Sequence, residues 1–426
     1  MLKKTTKHFK SVFFISFSLS FLSAQALTQP HFDLTVVGFI LFGDGIGRQS
    51  IGVIDCLKES VSVNFKNTRA HYFKPLLDDV PLPVATIIQQ SPDSFTSSVS
   101  LLEDVLINGN SERPELYYKL MPASTIKLAY TMFESTSVPA SWPAILNTYF
   151  DAAVLPDSFL VDIYKKSGVT IPLFVVPLGV YLEDFLAKPL KNGPGAVFTF
   201  GNAGTFCDRK NTLLLIESFT EAFKNKKNIQ LKLHGRCGDT AYIQQIQQKI
   251  AQLKATTISI SFNPLPWSGY VDFMSSLDCY VSLSKGEGFS IAPRESLALG
   301  IPCIVSNNTG QTTICNSNYV YAIASPHRTP AYYPHLQKQI GYNFNCSKQS
   351  VVTALKEVYN NYSTYLKKSH LGRKWSEQYL YKNLKPLYLN LIKPKQVVFG
   401  KYNHITAEYL MTNSKKLYNK YLSIGS

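Results

Sequence analysis

The sequence has no two cysteines at C-x-x-C spacing, no aspartates at D-x-D spacing and no extended block of consecutive lysines and arginines. The first absence argues against a structural zinc site. The second leaves no D-x-D to hold a metal–diphosphate complex, since Asp78-Asp79 simply precedes a Val-Pro turn. The third, together with the lack of zinc-finger spacing or an aromatic-rich single-strand platform, leaves no nucleic-acid module. Histidines are scattered, and none stands with a serine in a strained elbow. No internal repeat or low-complexity tract is present. Charged residues are few as well, 17% against 45% apolar, which excludes a disordered chain and describes one with a large core.

What is present fits two domains, because 426 residues exceed one ordinary core. The net charge of +15 admits nucleic acid, an anionic membrane surface or small phosphorylated ligands as partners. With no nucleic-acid module, a peripheral membrane contact is the expectation, against plain solvation of a polar face. Lysines thicken towards the C-terminus, at Lys415, Lys416 and Lys420. Of seven cysteines, Cys279 and Cys303 fall in apparent core strands and read as buried, reduced thiols. At the N-terminus, Lys3, Lys4, Lys7 and Lys10 precede an apolar run from Ser11 to Leu22 and then Ala24-Gln25-Ala26. Residues 1–26 thus read as a secretory signal peptide, and the run is short for a membrane span.

From about Asp33, apolar β-type runs alternate with amphipathic stretches, the pattern of a parallel sheet flanked by helices. Leu34 to Ile40 reads as the first strand, followed by Gly43-Asp44-Gly45-Ile46-Gly47-Arg48 and a helix carrying Ile51, Ile54 and Leu57. Alone, that glycine loop is a weak dinucleotide signal, and no acidic residue follows at the expected distance. Buried strands are also expected at 152–155 and 173–177, and 188–195 (KPLKNGPG) reads as an interdomain linker. A second series of strands begins at Ala196 and continues at 231–233, 258–260, 279–283 and 301–305. Residues after about 395 carry little pattern and read as a basic tail.

The most informative stretch runs from Ser284 to Gly300. A strand ends at Ser284, and Gly286 and Gly288 let the backbone turn tightly. Pro293 suits the first turn of a helix and Gly300 its stop. The N–H groups near 288–291 are therefore presented at a helix N-terminus, where a diphosphate would be stabilised. Glu287 and Glu295 stand eight positions apart and can both point into one cleft, where carboxylates would accept hydrogen bonds from vicinal hydroxyls. Taken singly, each is equally an acidic residue of a turn or a helix start.

Glu287-Gly288-Phe289-Ser290, Glu295 and Ala298-Leu299-Gly300-Ile301-Pro302 together resemble the donor signature of retaining glycosyltransferases of family 4, the glycogen-synthase-like branch of the group 1 enzymes. Ser290 stands where the family has a second glycine. The likeness extends to Val175-Val176-Pro177-Leu178-Gly179-Val180, similar to the family's V-P-x-G-V, and to 200–211 (FGNAGTFCDRKN), similar to the loop ending in Arg-Lys-Gly or Arg-Lys-Asn. It implies an α/β protein of the GT-B fold, two doubly wound Rossmann-like domains facing a cleft. The acceptor-side domain would span 31–187 and the nucleotide-sugar domain 195–375. A helix at 376–394 would cross back, ahead of a tail at 395–426.

The resemblance also implies roles. Glu287 and Lys210 would be catalytic, with Glu287 on the transferred sugar and Lys210 on the diphosphate. Glu295 would bind the ribose diol. Arg209, Gly288, Phe289 and Ser290 would complete the donor site, and Gly45 and Gly47 would approach the sugar from across the cleft. Thr205 occupies the place of the family's other basic residue, and Arg209 either substitutes for it or does not. Glu134, in Tyr130-Thr131-Met132-Phe133-Glu134, is the candidate sugar or acceptor contact; as a strand-end glutamate it would merely cap a helix. No metal and no cofactor are expected beyond the nucleotide-sugar donor, and the acceptor would be a glycan, a lipid-linked acceptor or another molecule. A cytosolic donor places the work on the cytoplasmic side of the membrane, in conflict with the secretory leader. Two other readings remain: a catalytically silent, exported sugar- or nucleotide-binding protein on the same fold, and a polyanion binder driven by charge.

Overall fold

The structure is a computed structural model that describes residues 29–69, 74–103, 107, 116–224, 226–393 and 414–424. The leader and most of the stretch read as a basic tail lie outside the described residues.

Runs of apolar residues with little alternation make strands covered on both faces, as parallel sheets require. The first domain holds β1 (His31–Gly38), β2 (Val63–Asn67), β3 (Thr96–Glu103), β4 (Ser124–Tyr130), β5 (Ala152–Leu155) and β6 (Leu173–Val175), all parallel, in the order β2-β1-β3-β4-β5-β6. The second holds β7 (Phe198–Phe206), β8 (Ile229–Gly238), β9 (Ile258–Ser261), β10 (Cys279–Ser282), β11 (Cys303–Asn307) and β12 (Tyr321–Ala324), also parallel, in the order β12-β11-β10-β7-β8-β9. Each order reverses direction once, between β1 and β3 and between β7 and β10. In open α/β sheets the loops leaving such a reversal form the ligand crevice.

Two features depart from the sequence-based expectation. A hairpin of β13 (His327–Tyr333) and β14 (Lys338–Asn345) follows β12 and belongs to neither parallel sheet. The expected basic tail includes a helix, Lys415–Ile424, whose Leu417 and Tyr421 are buried in the first domain's core. Lys420 donates to Asp151 at 2.7 Å, so one of the lysines assigned to a membrane face is spent on an internal ion pair. Cys279 and Cys303 are buried as expected, and all seven cysteines are free thiols. No described helix is long and apolar enough to cross a membrane.

The chain does cross back between domains. After the helix Tyr362–Ser376 in the second domain, the helix Tyr381–Ile392 lays Tyr381, Leu384, Tyr388 and Leu391 into the first domain's core. Tyr381 slots between Gly52 and Gly179, and a Cβ at either position would collide with its ring. Gly179 of the V-P-x-G-V stretch therefore has a packing reason. Tyr388 closes the arrangement by donating to the carbonyl of Pro177 at 3.1 Å.

Beneath this helix lies Glu103, the last residue of β3, buried with one carboxylate oxygen accepting from Gln49 at 3.3 Å and the other without a partner among the described residues. Burial pushes its carboxyl up to about 8, against weaker lowering from Gln49 and Ser50. A raised carboxyl favours the folded state at low pH, and that advantage drains away as pH rises from the unfolded value towards 8. Replacing Glu103 by Gln should remove this dependence. We expect E103Q to gain stability over the wild type between pH 5 and pH 8, by up to ~4 kcal/mol. Parallel denaturant melts at the two pH values check this, and an unchanged difference would show the carboxyl to be ionised throughout.

Candidate functional site

The site forms where loops from the two sheet reversals meet. On the first-domain side, the loop after β1 enters the helix Gly45–Leu57. Asp44 caps that helix, accepting from the N–H groups of Ile46 at 2.9 Å and Gly47 at 3.5 Å. The segment after β4 adds Met132, Phe133 and Glu134. On the second-domain side, β7 leads into a short 3-10 turn, Asp208–Lys210, and then Asn211. Asn211 takes a left-handed backbone, φ 61°, which asparagine tolerates better than most residues. Its amide donates to the Leu283 carbonyl at 3.2 Å and so ties this turn to β10. The loop after β10 carries Gly286 to Ser290 into the buried helix Ile291–Leu299, which Gly300 ends at φ 70°.

Four charges line up there. Lys210 Nζ lies 2.5 Å from Glu287 Oε1, Arg209 lies 3.3 Å from Glu287 Oε2, and Arg209 also lies 3.3 Å from Glu134 of the other domain. Arg209 further donates to the carbonyl of Gly286 at 2.6 Å. Burial alone would raise the Glu287 carboxyl, but Lys210 and then Arg209 outweigh it and hold the group at about 2. Glu287 is therefore a carboxylate at any physiological pH, available to accept hydrogen bonds.

The backbone beside it is ready for an anion. The N–H groups of Gly288, Phe289, Ser290 and Ile291 have no hydrogen-bond partner among the described residues, although the first three residues are buried. Unpaired donors at a helix start favour negative charge. The loop is fixed from behind by Arg294, fully buried, whose guanidinium donates to the carbonyls of Phe289 and Ser290 and stacks 3.6 Å from the Phe289 ring centroid. Arg294 gave no signal in the sequence reading, because a charged residue inside a signature reads as solvated. Among the described residues, no group of three or more His, Cys, Asp or Glu could hold a metal ion.

The remaining expected residues divide. Glu295 is fully buried, and both its oxygens are occupied, one by Arg48 at 3.1 Å and one by the Tyr270 hydroxyl at 2.6 Å. It joins the domains through Arg48, a residue the sequence reading passed over, and reaches a ribose only by exchanging one of these partners. Gly45 does face the opposite domain, since a Cβ there would stand 2.9 Å from Ile291. Gly47 does not: its missing Cβ makes room for the backbone of Leu41 in its own domain. The Thr205 hydroxyl pairs with the Cys237 thiol at 3.4 Å and brings no cation.

Ser290 holds φ 69° and ψ 81° at the helix start, a conformation that costs a side-chain-bearing residue ~1–2 kcal/mol and a glycine almost nothing. Its hydroxyl recovers little, a 3.4 Å contact to Gln311. Ser290→Gly should therefore raise stability by ~0.5–1 kcal/mol, after allowing for glycine's freer unfolded chain. Thermal unfolding reads this directly, and a lower Tm would show that the Gln311 contact outweighs the strain.

Residues 188–331, about a third of the chain, match the family model "Glycosyl transferases group 1". No curated protein sequence matches the chain. Solved structures do. HepE of Anabaena in complex with UDP-glucose is 9% identical with TM-score 0.61, covering 84% of this chain and 99% of that one. A glycosyltransferase from Rickettsia africae is 16% identical with TM-score 0.59, covering 86% and 98%. OtsA in its apo form is 9% identical with TM-score 0.57, covering 86% and 100%. At such identities the shared property is the fold. The chain has the GT-B fold, two Rossmann-like domains facing a cleft, with the matched segment in the second domain.

Proposed function

We propose that the protein is a glycosyltransferase that moves a sugar from a nucleotide-diphosphate donor to a glycan or lipid-linked acceptor, with retention and without a metal. The observation that carries this reading is the row of unpartnered N–H groups from Gly288 to Ile291 beside a paired Lys210 and Glu287. Donors at a helix start and one ammonium suit a diphosphate, and an adjoining carboxylate suits sugar hydroxyls.

In the reaction, the bond between the anomeric carbon and the diphosphate oxygen breaks while the acceptor oxygen bonds to the same carbon from the same face. The acceptor's proton passes to the departing diphosphate. Positive charge develops on the sugar and negative charge on the leaving group. The helix start and Lys210 stabilise the leaving group, and Glu287 holds the sugar. Lys210 is bound to Glu287 until a diphosphate competes for it. Arg209 is less free, being committed to Glu134, Glu287 and the Gly286 carbonyl. A peripheral membrane contact on the cytoplasmic side fits the net charge of +15 and a lipid-linked acceptor. The neutral Thr205 favours a second reading, an exported binder without turnover, because the site then lacks one cation for the leaving group.

The test is a screen of nucleotide-sugars for release of free nucleotide diphosphate, followed by Lys210→Ala. The screen should find one donor that is turned over, and the variant should lose ~10²–10³ in kcat/KM, the range for deleting one group that stabilises developing charge. EDTA should leave the wild type nearly as active. Donor binding without turnover would decide for the silent binder. A Lys210→Ala enzyme within about threefold of wild type, or abolition by EDTA, would show that the diphosphate is held some other way.

A further inference from the structure

The hairpin of β13 and β14 grows from the second domain but packs against the first. Ala331, Tyr333 and Ile340 belong to a hydrophobic cluster with Val37, Phe133 and Trp142, and the Tyr333 ring lies 4.8 Å from Phe133. Its second strand is bound by polar contacts to the segment that carries Glu134. The Ser135 hydroxyl donates to the Ile340 carbonyl at 2.7 Å, the Thr136 N–H to the Tyr342 carbonyl at 3.3 Å, and the Tyr342 N–H to Thr136 Oγ1 at 3.0 Å. Gly341 permits this approach: φ is 62°, and a Cβ there would stand 2.8 Å from Ser137 N. On the other side, the Phe344 N–H donates to the Lys285 carbonyl at 2.8 Å, and Asn345 accepts from Asn211 at 2.8 Å. The hairpin is thus wedged between the loops that hold Glu134, Lys210 and Glu287.

Two of its side chains keep polar atoms unspent. Tyr333 is 6% exposed and its hydroxyl makes no well-formed hydrogen bond, the Ser135 hydroxyl being the group within its reach, and Asn343 is 6% exposed with its amide oxygen unpartnered. Leaving such groups buried without hydrogen bonds is unfavourable, so they mark a place where a polar ligand is expected. Both face the site. The Tyr333 hydroxyl lies in the fields of Glu134, Arg209 and Glu287. Asn343 Oδ1 lies 3.0 Å from the position a Cβ on Gly286 would take. Neither residue falls in the segment 188–331 that matches the family model.

We propose that the hairpin forms the sugar wall of the donor site, with the Tyr333 hydroxyl and the Asn343 amide oxygen hydrogen-bonding the hydroxyls of the transferred sugar and so selecting it. This rests on the donor reading above and adds a determinant from outside the signature. A sugar contact and a structural role differ in what they leave unchanged. Removing the Tyr333 hydroxyl, which makes no well-formed hydrogen bond in the free protein, should change Tm little. It should leave the nucleotide diphosphate alone bound as before, because that part sits at the helix start.

The experiment measures binding of UDP-glucose, UDP-N-acetylglucosamine and GDP-mannose, each against UDP or GDP alone, to wild type, Tyr333→Phe and Asn343→Leu. The expected result is an unchanged Kd for UDP or GDP and a three- to tenfold weaker Kd for the favoured nucleotide-sugar in Tyr333→Phe, with discrimination among the three sugars reduced. Asn343→Leu should act in the same direction. Wild-type affinity and selectivity in both variants would overturn the inference while leaving the donor reading intact, and so would an equal loss for UDP and UDP-glucose. Wild-type protein that binds none of these nucleotides would remove the donor reading, and the hairpin's role with it.

Discussion

The arrangement of this molecule turns on one guanidinium. Arg209 sits in the middle of a three-residue turn in the second domain, yet it pairs with Glu134 of the first and with Glu287 of its own. Two carboxylates this close would repel one another unless a cation stood between them. Arg209 supplies it, and together with Lys210 keeps Glu287 ionised despite burial. A planar fork suits the task, since it reaches two carboxylates and a carbonyl at once. The positions of the glycines follow from it: Gly286 and Gly288 must let their loop come within contact of Glu134 and Met132 for the charges to meet.

Much of the second domain could be read in the sequence because its strands are buried on both faces and its turns are marked by glycine. The switch from apolar strand to E-G-F-S to a helix stopped by Gly300 is a local pattern with a local cause. The first domain was less readable because β2 (VNFKN) and β3 (TSSVSLLE) mix polar residues into their strands, whereas the apolar β5 and β6 stand where 152–155 and 173–177 were expected. The hairpin escaped for a different reason. Its strands, HRTPAYY and KQIGYNFN, mix exposed polar residues with a proline and three apolar contacts, so neither a two-residue nor a helical period stands out. The helix Lys415–Ile424 buries only Leu417 and Tyr421, four positions apart, within a run of lysines that reads as solvated.

The site was legible as a set of residue types but not as a set of partners. Glu287, Lys210 and the helix start come together, a meeting that the family resemblance implies and the spacing along the chain does not. Glu295 is of the same type as Glu287, yet it is sealed between Arg48 and Tyr270 and joins the domains. Nothing along the chain distinguishes a carboxylate that waits for a ligand from one already satisfied, because the difference lies in partners 247 and 25 positions away. Arg294 shows the converse. It carries a full charge into the core with carbonyls and aromatic faces as its company, which lets the loop of four free N–H groups hold its shape.

The hairpin also bears on how the cleft can open. Two domains joined only by a linker and a returning helix can swing apart freely, as hinge motions usually require. Here a third connection runs from β12 across the mouth of the cleft to residues 135–137, with its apolar side in the first domain's core. Separation at that edge would expose Ala331, Tyr333 and Ile340 to water, whereas the contacts of Arg48 with Glu295 and Trp267 join the domains without the hairpin. The molecule is therefore held like a book with a clasp, which opens only by breaking the apolar seal of the hairpin.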